Sequence, residues 1–198
     1  MHRAYGMDVA SQLPSGATIP ARRLRAMSGN TVAVPATGIW THVQFLRFAS
    51  CAICHLQLCS FADRYQEVAD AGIAVVVLVC SPDNELRRYQ PLLPFPVVAD
   101  PDWVLYRDFG LDTGLGAITH PRTWWAAIRR GAAALHRNHP DRARIRIHHR
   151  STSLALPADF LINPDGTVVA AHYGHHAGDQ WSVDHLLDVH RVLGAKGS

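Results

Sequence analysis

The chain has 198 residues, 48% of them hydrophobic, and a net charge of +3, a composition typical of one globular domain with a substantial core. No apolar run reaches the roughly 20 residues that cross a membrane, and the N-terminus lacks the apolar centre of a secretory signal, so we expect a cytoplasmic protein. Residues 112–150 contain eight Arg and two Asp, a net charge of +6, which leaves −3 for the rest. We therefore predict a single domain over 1–198 with a basic insertion at 112–153.

The first half of the chain alternates between strand and helix patterns. Residues 1–40 are rich in Pro, Gly, Ser and Thr and are expected to form an N-terminal arm or hairpin. Residues 41–49 are aromatic and β-branched, as in a strand, and apolar spacing then predicts a helix from about Cys54 to Ala71. Gly72 ends that helix. Residues 73–80 are continuously apolar, which predicts a strand buried on both faces.

The alternation continues up to the basic insertion. Ser81 and Pro82 predict a helix start, because a side-chain cap is followed by a proline whose missing N–H costs nothing there. A strand at 95–100 and a short helix at 101–110 follow.

The chain after the insertion predicts a hairpin and a last helix. Residues 156–174 contain two β-type runs around Asn163–Gly166, a strong hairpin signal. Residues 181–193 form an amphipathic pattern with Ser182 as the expected cap. This order of elements describes an α/β fold with a mixed sheet and helices on both faces.

Three of the four cysteines fall within the stretch SCAICHLQLC, and three kinds of site must be weighed for them. A haem attachment site is disfavoured, because the pair sits between a strand and a helix and no export signal precedes it. A zinc site usually needs a second ligand pair, and Cys59 points about 140° away from Cys54 around a helix. We expect Cys59 and Cys80 to behave as small buried hydrophobes.

A redox dithiol accounts for all the features of this stretch. A thiolate at a helix N-terminus meets unpaired N–H groups and the positive end of the helix dipole, which lower its pKa. Cys51, expected to be exposed just before the helix, is the candidate nucleophile, and Cys54 in the first turn is the candidate resolving thiol. The alternative is that both are incidental core cysteines.

The chain resembles the redoxin superfamily, also called alkyl hydroperoxide reductase/thiol-specific antioxidant, and in particular its peroxiredoxin-like branch with a C-x-x-C motif. The resemblance covers about residues 13–190 and is carried by QFLRFASCAICHLQLCSF, SPDNELRRY, FPVVADP, LYRDFG, LPADFLINPDG and YGHHAGDQWSVDHLL. It implies a thioredoxin-like three-layer sandwich and an oxidoreductase without cofactor or metal. It also implies a disulfide or peroxide substrate and a thiol electron donor, either a thioredoxin-like protein or a low-molecular-weight thiol.

The peroxidase pattern P-x-x-x-T-x-x-C of typical peroxiredoxins is missing. Counting back from Cys51, the Thr and Pro positions hold Phe48 and Gln44. Counting back from Cys54, they hold Cys51 and Arg47, so neither register fits.

The position of the distant peroxiredoxin Arg holds Pro157, which matches the cis-proline of thioredoxins. The resemblance makes Pro157 the candidate substrate-positioning residue with a cis bond, and a trans proline at a strand start is the alternative. The strand position where thioredoxins bury an acid holds Phe45, which leaves the local proton carrier open.

Candidates for proton or thiolate support are Arg47, which follows the strand, and His172, His175 and His176, which follow the last strand. In a thioredoxin fold this places the histidines at the same sheet edge as the dithiol. The alternative is a solvated His-rich loop.

We predict a thiol–disulfide oxidoreductase, with a thiol peroxidase as the second hypothesis and a non-enzymatic redox-sensing or binding module as the third.

The basic insertion has several possible roles. One helical face carries Trp124, Trp125 and Ile128, which would suit a lid, a docking surface or a membrane contact, or simply a solvated Arg face with buried tryptophans. No nucleic-acid recognition motif accompanies the charge, so we expect no nucleic acid partner. Homodimerisation through a sheet edge is compatible with such a fold and is left open.

Overall fold

The structure is a computed structural model that describes residues 12–48, 51–87, 93–111 and 155–195. The predicted basic insertion at 112–153, with its tryptophan face, lies outside the described residues. The single-domain organisation over 1–198 stays a prediction.

A five-stranded mixed sheet forms the centre of the molecule. Its strands are β3 (Trp40–Leu46), β4 (Ile73–Val79), β5 (Val97–Ala99), β6 (Ala158–Ile162) and β7 (Val168–Tyr173), in the spatial order β5-β4-β3-β6-β7. The strands β3, β4 and β5 run parallel, whereas β6 and β7 are antiparallel to their neighbours. This arrangement confirms the predicted mixed sheet. It makes β3 the central strand, so the end of β3 lies in the middle of one sheet edge.

A short antiparallel hairpin precedes the sheet. It consists of β1 (Arg22–Arg25) and β2 (Thr31–Val34). The Met27 N–H donates to the Val97 carbonyl at 2.8 Å, which connects the hairpin to the β5 edge of the sheet.

The described parts of the chain contain five helices around the sheet: α1 (Ala52–Asp63), α2 (Tyr65–Asp70), α3 (Asp83–Leu86), α4 (Val104–Asp108) and α5 (Val183–Gly194). The single helix predicted between Cys54 and Ala71 is wrong, because the backbone of Arg64 (φ −117°, ψ 19°) separates α1 from α2. Ser81 is not a cap either, since Pro82 holds the N-cap position of α3 without a side-chain hydrogen bond. Ser182 does cap α5, accepting from the His185 N–H at 3.2 Å.

The two faces of the sheet carry separate cores. Val43 and Phe45 of β3 pack with α4 on one face, whereas Leu46 packs with α1 and α5 on the other. Side chains of a strand alternate between faces, so neighbouring residues of β3 take part in different layers. Helices therefore cover both faces, as predicted, and the fold is a thioredoxin-like three-layer sandwich. In the described part of the chain, no helix combines the length and apolar character needed to span a membrane.

Candidate active site

Cys51 occupies the N-cap of α1 at the end of the loop that leaves β3. The Cys54 N–H donates to the Cys51 sulfur at 3.4 Å, and the Cys51 N–H donates to the Phe48 carbonyl at 3.1 Å. Cys51 is therefore the capping residue and Cys54 lies in the first turn, as the spacing predicted. Cys51 is only 6% exposed, so its predicted exposure is wrong, because it packs with Leu46 in the core on the α1 side of the sheet.

The two thiols have pKa values shifted in opposite directions. The hydrogen bond from the Cys54 thiol lowers the pKa of Cys51 to about 6, against the effect of burial, and the Cys54 and Ile53 N–H groups and the charge of Arg47 add to the lowering. Burial raises the pKa of Cys54, and the neighbouring Cys51 thiolate raises it further. The two shifts favour the thiolate form of Cys51 and the protonated form of Cys54.

Arg47 follows β3 directly and lies among the buried residues, with 7% of its surface exposed. Its Nε–H donates to the Ala155 carbonyl at 3.0 Å, and its guanidinium carbon lies 5.1 Å from the centre of the Phe48 ring. Its positive charge lowers the pKa of both Cys51 and Cys54. Arg47 therefore acts electrostatically on the two thiols and also binds the segment that leads into β6.

Pro157 is buried directly before β6, two residues after the Ala155 carbonyl that binds Arg47. Its own carbonyl accepts from the Gly174 N–H at 2.9 Å. Within the described residues, the cis X–Pro bond is Val34–Pro35, so the cis bond expected at Pro157 is wrong. A trans proline fits there because the first position of a strand needs no N–H for the ladder.

Asp179 organises the histidine-rich loop after β7 and also binds His172, which lies within β7 and not after the last strand as predicted. The His172 Nε2 lies 3.0 Å from the Asp179 Oδ1, and the His175 N–H donates to the Asp179 Oδ2 at 2.8 Å. Burial alone would raise the pKa of Asp179, but the hydrogen bond from His175 and the charges of His172 and His176 outweigh it and lower that pKa. The loop is anchored beside Pro157 through Gly174, and the described contacts of the His172 ring are with Asp179 and Trp181.

A buried carboxylate that the sequence analysis missed lies on the dithiol side of the sheet. Asp159 of β6 is fully buried, and its Oδ1 lies 3.0 Å from both the His42 Nε2 and the Gln44 Nε2. Its Oδ2 accepts from the Trp181 N–H at 3.0 Å. The position expected from the resemblance, Phe45, belongs to the opposite core.

The signal for this carboxylate was present in the sequence. An Asp inside the apolar run ADFLI of a predicted strand requires a buried partner. The partners come from β3, and the pairing of β3 with β6 is a register that single-strand patterns do not contain.

Of the two remaining cysteines, Cys80 lies in the hydrophobic core as predicted, whereas Cys59 does not. The Cys80 thiol is buried and donates to the Arg47 carbonyl, and burial raises its pKa to about 12. Cys59 is half-buried, with its sulfur 3.7 Å from the His55 Nε2 one helical turn earlier. No group of three or more metal-ligating side chains occurs in the described residues.

The fold and the pair of thiols define a thiol oxidoreductase of the thioredoxin superfamily. The model of the AhpC/TSA family matches residues 16–171, which is well over half of the chain, and the chain therefore belongs to this family. No curated protein matches the sequence.

Solved structures with this fold include a peroxidoxin, an AhpC and a putative thiol:disulfide interchange protein. The peroxidoxin BcpB of Mycobacterium tuberculosis superposes with a TM-score of 0.60 at 16% identity, over 91% of this chain and 96% of that chain. AhpC of Enterococcus faecalis gives 0.63 at 13%, over 93% and 96%. A putative thiol:disulfide interchange protein DsbE of Chlorobium tepidum gives 0.56 at 17%, over 93% and 99%. At these identities the similarity shows the fold, and it does not distinguish peroxide reduction from thiol–disulfide exchange.

Proposed function

We propose that the protein is a thiol–disulfide oxidoreductase in which Cys51 is the nucleophile and Cys54 the resolving thiol. The observation that carries this proposal is the position of the pair, with Cys51 at the N-cap of α1 and its sulfur accepting from the Cys54 N–H at 3.4 Å. A thiolate is the attacking species in exchange, and the pKa of Cys51, lowered to about 6, makes it mostly thiolate at neutral pH. Cys54, with a raised pKa, keeps its proton until it is needed.

The exchange proceeds in two displacements. The Cys51 thiolate attacks one sulfur of a substrate disulfide, a Cys51–substrate S–S bond forms, and the other substrate sulfur leaves as a thiolate that takes up a proton. Cys54 then loses its proton and attacks the Cys51 sulfur, which releases the second substrate sulfur as a thiolate. The substrate gains two electrons and the protein is left with a Cys51–Cys54 disulfide. An external thiol donor reduces that disulfide and completes the cycle.

The surrounding residues are assigned supporting roles. Arg47 favours the thiolate form of Cys51 through its charge. Pro157 contacts and positions a substrate segment. Its buried position, two residues after the Ala155 whose carbonyl binds Arg47, supports this role. His172 at the end of β7, and His175 and His176 in the loop that is anchored on Pro157, can exchange protons with departing thiolates.

A thiol peroxidase is the second candidate, and the low exposure of Cys51 favours it, because a small oxidant reaches a buried thiolate more easily than a protein disulfide does. In that reaction Cys51 attacks a peroxide oxygen, becomes a sulfenic acid and releases hydroxide or an alkoxide. Cys54 then condenses with the sulfenic acid, forming the disulfide and water. Against this candidate, Phe48 and Gln44 replace the Thr and Pro of the peroxidase pattern.

The test measures which oxidant consumes the Cys51 thiolate. Reduced protein is mixed with hydrogen peroxide or with oxidised glutathione, and Cys51 is followed by quenching and peptide mass. We expect the disulfide to react faster by about tenfold or more, with Cys54→Ser trapping the mixed disulfide and Cys51→Ser abolishing the reaction. Faster reaction with peroxide would establish the second candidate instead, and inertness to both would favour the redox-sensing or binding module.

We propose the class of electron donor from the family resemblance, and we predict the oligomeric state and the location from the sequence. The electron donor would be a thioredoxin-like protein or a low-molecular-weight thiol, and a homodimer and a cytoplasmic location stay predictions from the sequence.

A further inference from the structure

Two buried polar side chains reach the backbone where β3 ends, and the proposed exchange uses neither of them. The hydroxyl of Tyr106, on α4, donates to the Leu46 carbonyl and has the Leu78 carbonyl 3.2 Å away. The thiol of Cys80, just after β4, donates to the Arg47 carbonyl. The two groups donate to carbonyls of consecutive residues, so they form one cluster.

The carbonyls that they bind lie at the end of β3. The pairing of β3 with β6 ends at Phe45 and its pairing with β4 ends at Leu46, so Arg47 lies past the last registered pair on both sides while remaining buried. A buried carbonyl is stabilised by a hydrogen-bond donor, and the Tyr106 hydroxyl on α4 and the Cys80 thiol just after β4 donate to these two carbonyls. These donors therefore fix two consecutive peptide groups directly ahead of the dithiol loop.

The Tyr106 side chain is held rigidly enough to act in this way. The Asp100 carboxylate accepts from three N–H groups at the start of α4, those of Val104, Leu105 and Tyr106, at 3.0, 2.8 and 3.1 Å. The Tyr106 ring packs edge-on against Phe45 with centroids 4.9 Å apart. The hydroxyl thus has little freedom to leave the end of β3.

We propose that Tyr106 and Cys80 are positioning residues of the dithiol. By holding the Leu46 and Arg47 carbonyls, they fix the backbone from which the Arg47 guanidinium and the Cys51 loop depart. Arg47 then keeps its contact with the Ala155 carbonyl, at the distance at which its charge favours the Cys51 thiolate. This inference rests on the proposed function, because it concerns the same pair of thiols.

The titratable and charged groups around this cluster come from three directions. Cys54 of α1, Cys80 just after β4 and Asp100 ahead of α4 act electrostatically on the Tyr106 hydroxyl and raise its pKa. Arg47 is the cation that acts on Cys51, Cys54 and Cys80. Loss of the Tyr106 hydroxyl changes none of these charges, so a change in Cys51 reactivity reports a change in position.

The test compares how the alkylation rate of Cys51 depends on pH in matched variants of the full chain. Reduced protein is treated with iodoacetamide from about pH 5 to pH 9, and Cys51 is quantified by peptide mass, so the other thiols do not interfere. Tyr106→Phe removes the hydroxyl and keeps the ring, and Cys80→Ala removes the thiol donor. Cys80→Ser restores a donor at the same place. Phe109→Leu damages the same core without touching either carbonyl and serves as the control.

We expect Tyr106→Phe and Cys80→Ala to lower the alkylation rate at pH 6 by about threefold or more, with little change near pH 9, where the thiol is ionised in any case. Cys80→Ser and Phe109→Leu should keep the wild-type profile. A Tyr106→Phe or Cys80→Ala profile that coincides with wild type, or a Phe109→Leu profile shifted equally, would overturn the positioning role. A wild-type profile without an acidic midpoint would instead overturn the proposed function, so the two failures are distinguishable.

Discussion

At the residue scale, the chemistry proposed for this protein depends on the residue that caps the N-terminus of α1. Cys51 is the N-cap of α1 and the proposed nucleophile, so the N–H groups that a helix leaves unpaired are directed at its sulfur. Burial acts against the thiolate, and the donors around the sulfur, led by the Cys54 thiol, more than compensate for it. The same burial, without an equivalent set of donors, keeps Cys54 protonated.

Two substitutions of Arg47 separate the effect of its charge on the pKa of Cys51 from the effect of its side-chain shape. Arg47→Gln removes the charge that lowers the pKa of Cys51, so its alkylation midpoint should move upward from about pH 6. Arg47→Lys keeps the charge and should move the midpoint less. Because the lowered pKa favours the thiolate, the loss of reactivity should be largest below the wild-type midpoint and vanish at alkaline pH.

The control for this experiment is an exposed arginine remote from the dithiol. Arg191→Gln on α5 removes the partner of Asp188 and should leave the alkylation profile unchanged. Equal profiles for wild type and Arg47→Gln would show that the charge of Arg47 does not act on Cys51.

The sequence predicted the dithiol at this scale and could not predict its surroundings. The C-x-x-C spacing at a strand-to-helix junction is local information, and the relative placement of Cys51 and Cys54 follows from it. The burial of Cys51 and the contact of Arg47 with Ala155 depend on residues far away in the chain, so the sequence analysis expected an exposed Cys51.

At the scale of elements, the loop after β7 is held against the start of β6 by a close backbone approach. Gly174 donates to the Pro157 carbonyl, and a Cβ on Gly174 would lie 2.4 Å from the Asp179 carbonyl oxygen and 2.9 Å from the Pro157 Cγ. No side chain fits there without movement of one of these segments. The glycine therefore fixes the distance between the histidine loop and Pro157.

Gly174→Ala should destabilise the protein by about 1–3 kcal/mol, because the added methyl group forces the backbone of two packed segments apart. Urea unfolding measures the free energy directly. Gly194→Ala is the matched control, since a Cβ at the end of α5 meets open space. This control should be neutral or slightly stabilising, as alanine favours a helix over glycine. If both substitutions had the same effect, the close approach at Gly174 would not limit the fold.

At the scale of the whole molecule, Asp159 joins three parts of the structure. Its carboxylate contacts His42 and Gln44 of β3 and the N–H of Trp181 ahead of α5. The Trp181 carbonyl in turn accepts from the Gln57 side chain of α1 at 2.6 Å. A single buried group thus connects the central sheet to the two helices that cover the dithiol face.

Asp159→Ala should lower the free energy of unfolding by about 3 kcal/mol or more, because several buried donors lose their acceptor at once. Asp159→Asn keeps one acceptor oxygen and should cost less. Asp108→Ala, which removes an exposed ion pair with Arg22, is the control and should change stability by less than about 1 kcal/mol. Urea unfolding of the three variants gives the comparison, and a loss for Asp159→Ala no larger than the control's would contradict the connecting role.

The sequence by itself determined the strands of the sheet, the position of Cys51 and Cys54 at the start of α1 and the cap of α5, because hydrophobic periodicity, Gly and Pro residues, and capping residues act over a few neighbouring positions. Only the tertiary structure decided that Arg47 meets Ala155, that Asp159 meets His42, and that Tyr106 and Cys80 bind the end of β3. Those contacts join residues between 33 and 117 positions apart. The physical reason is that strand register and helix packing are set by the burial of whole faces, a property that no single segment contains.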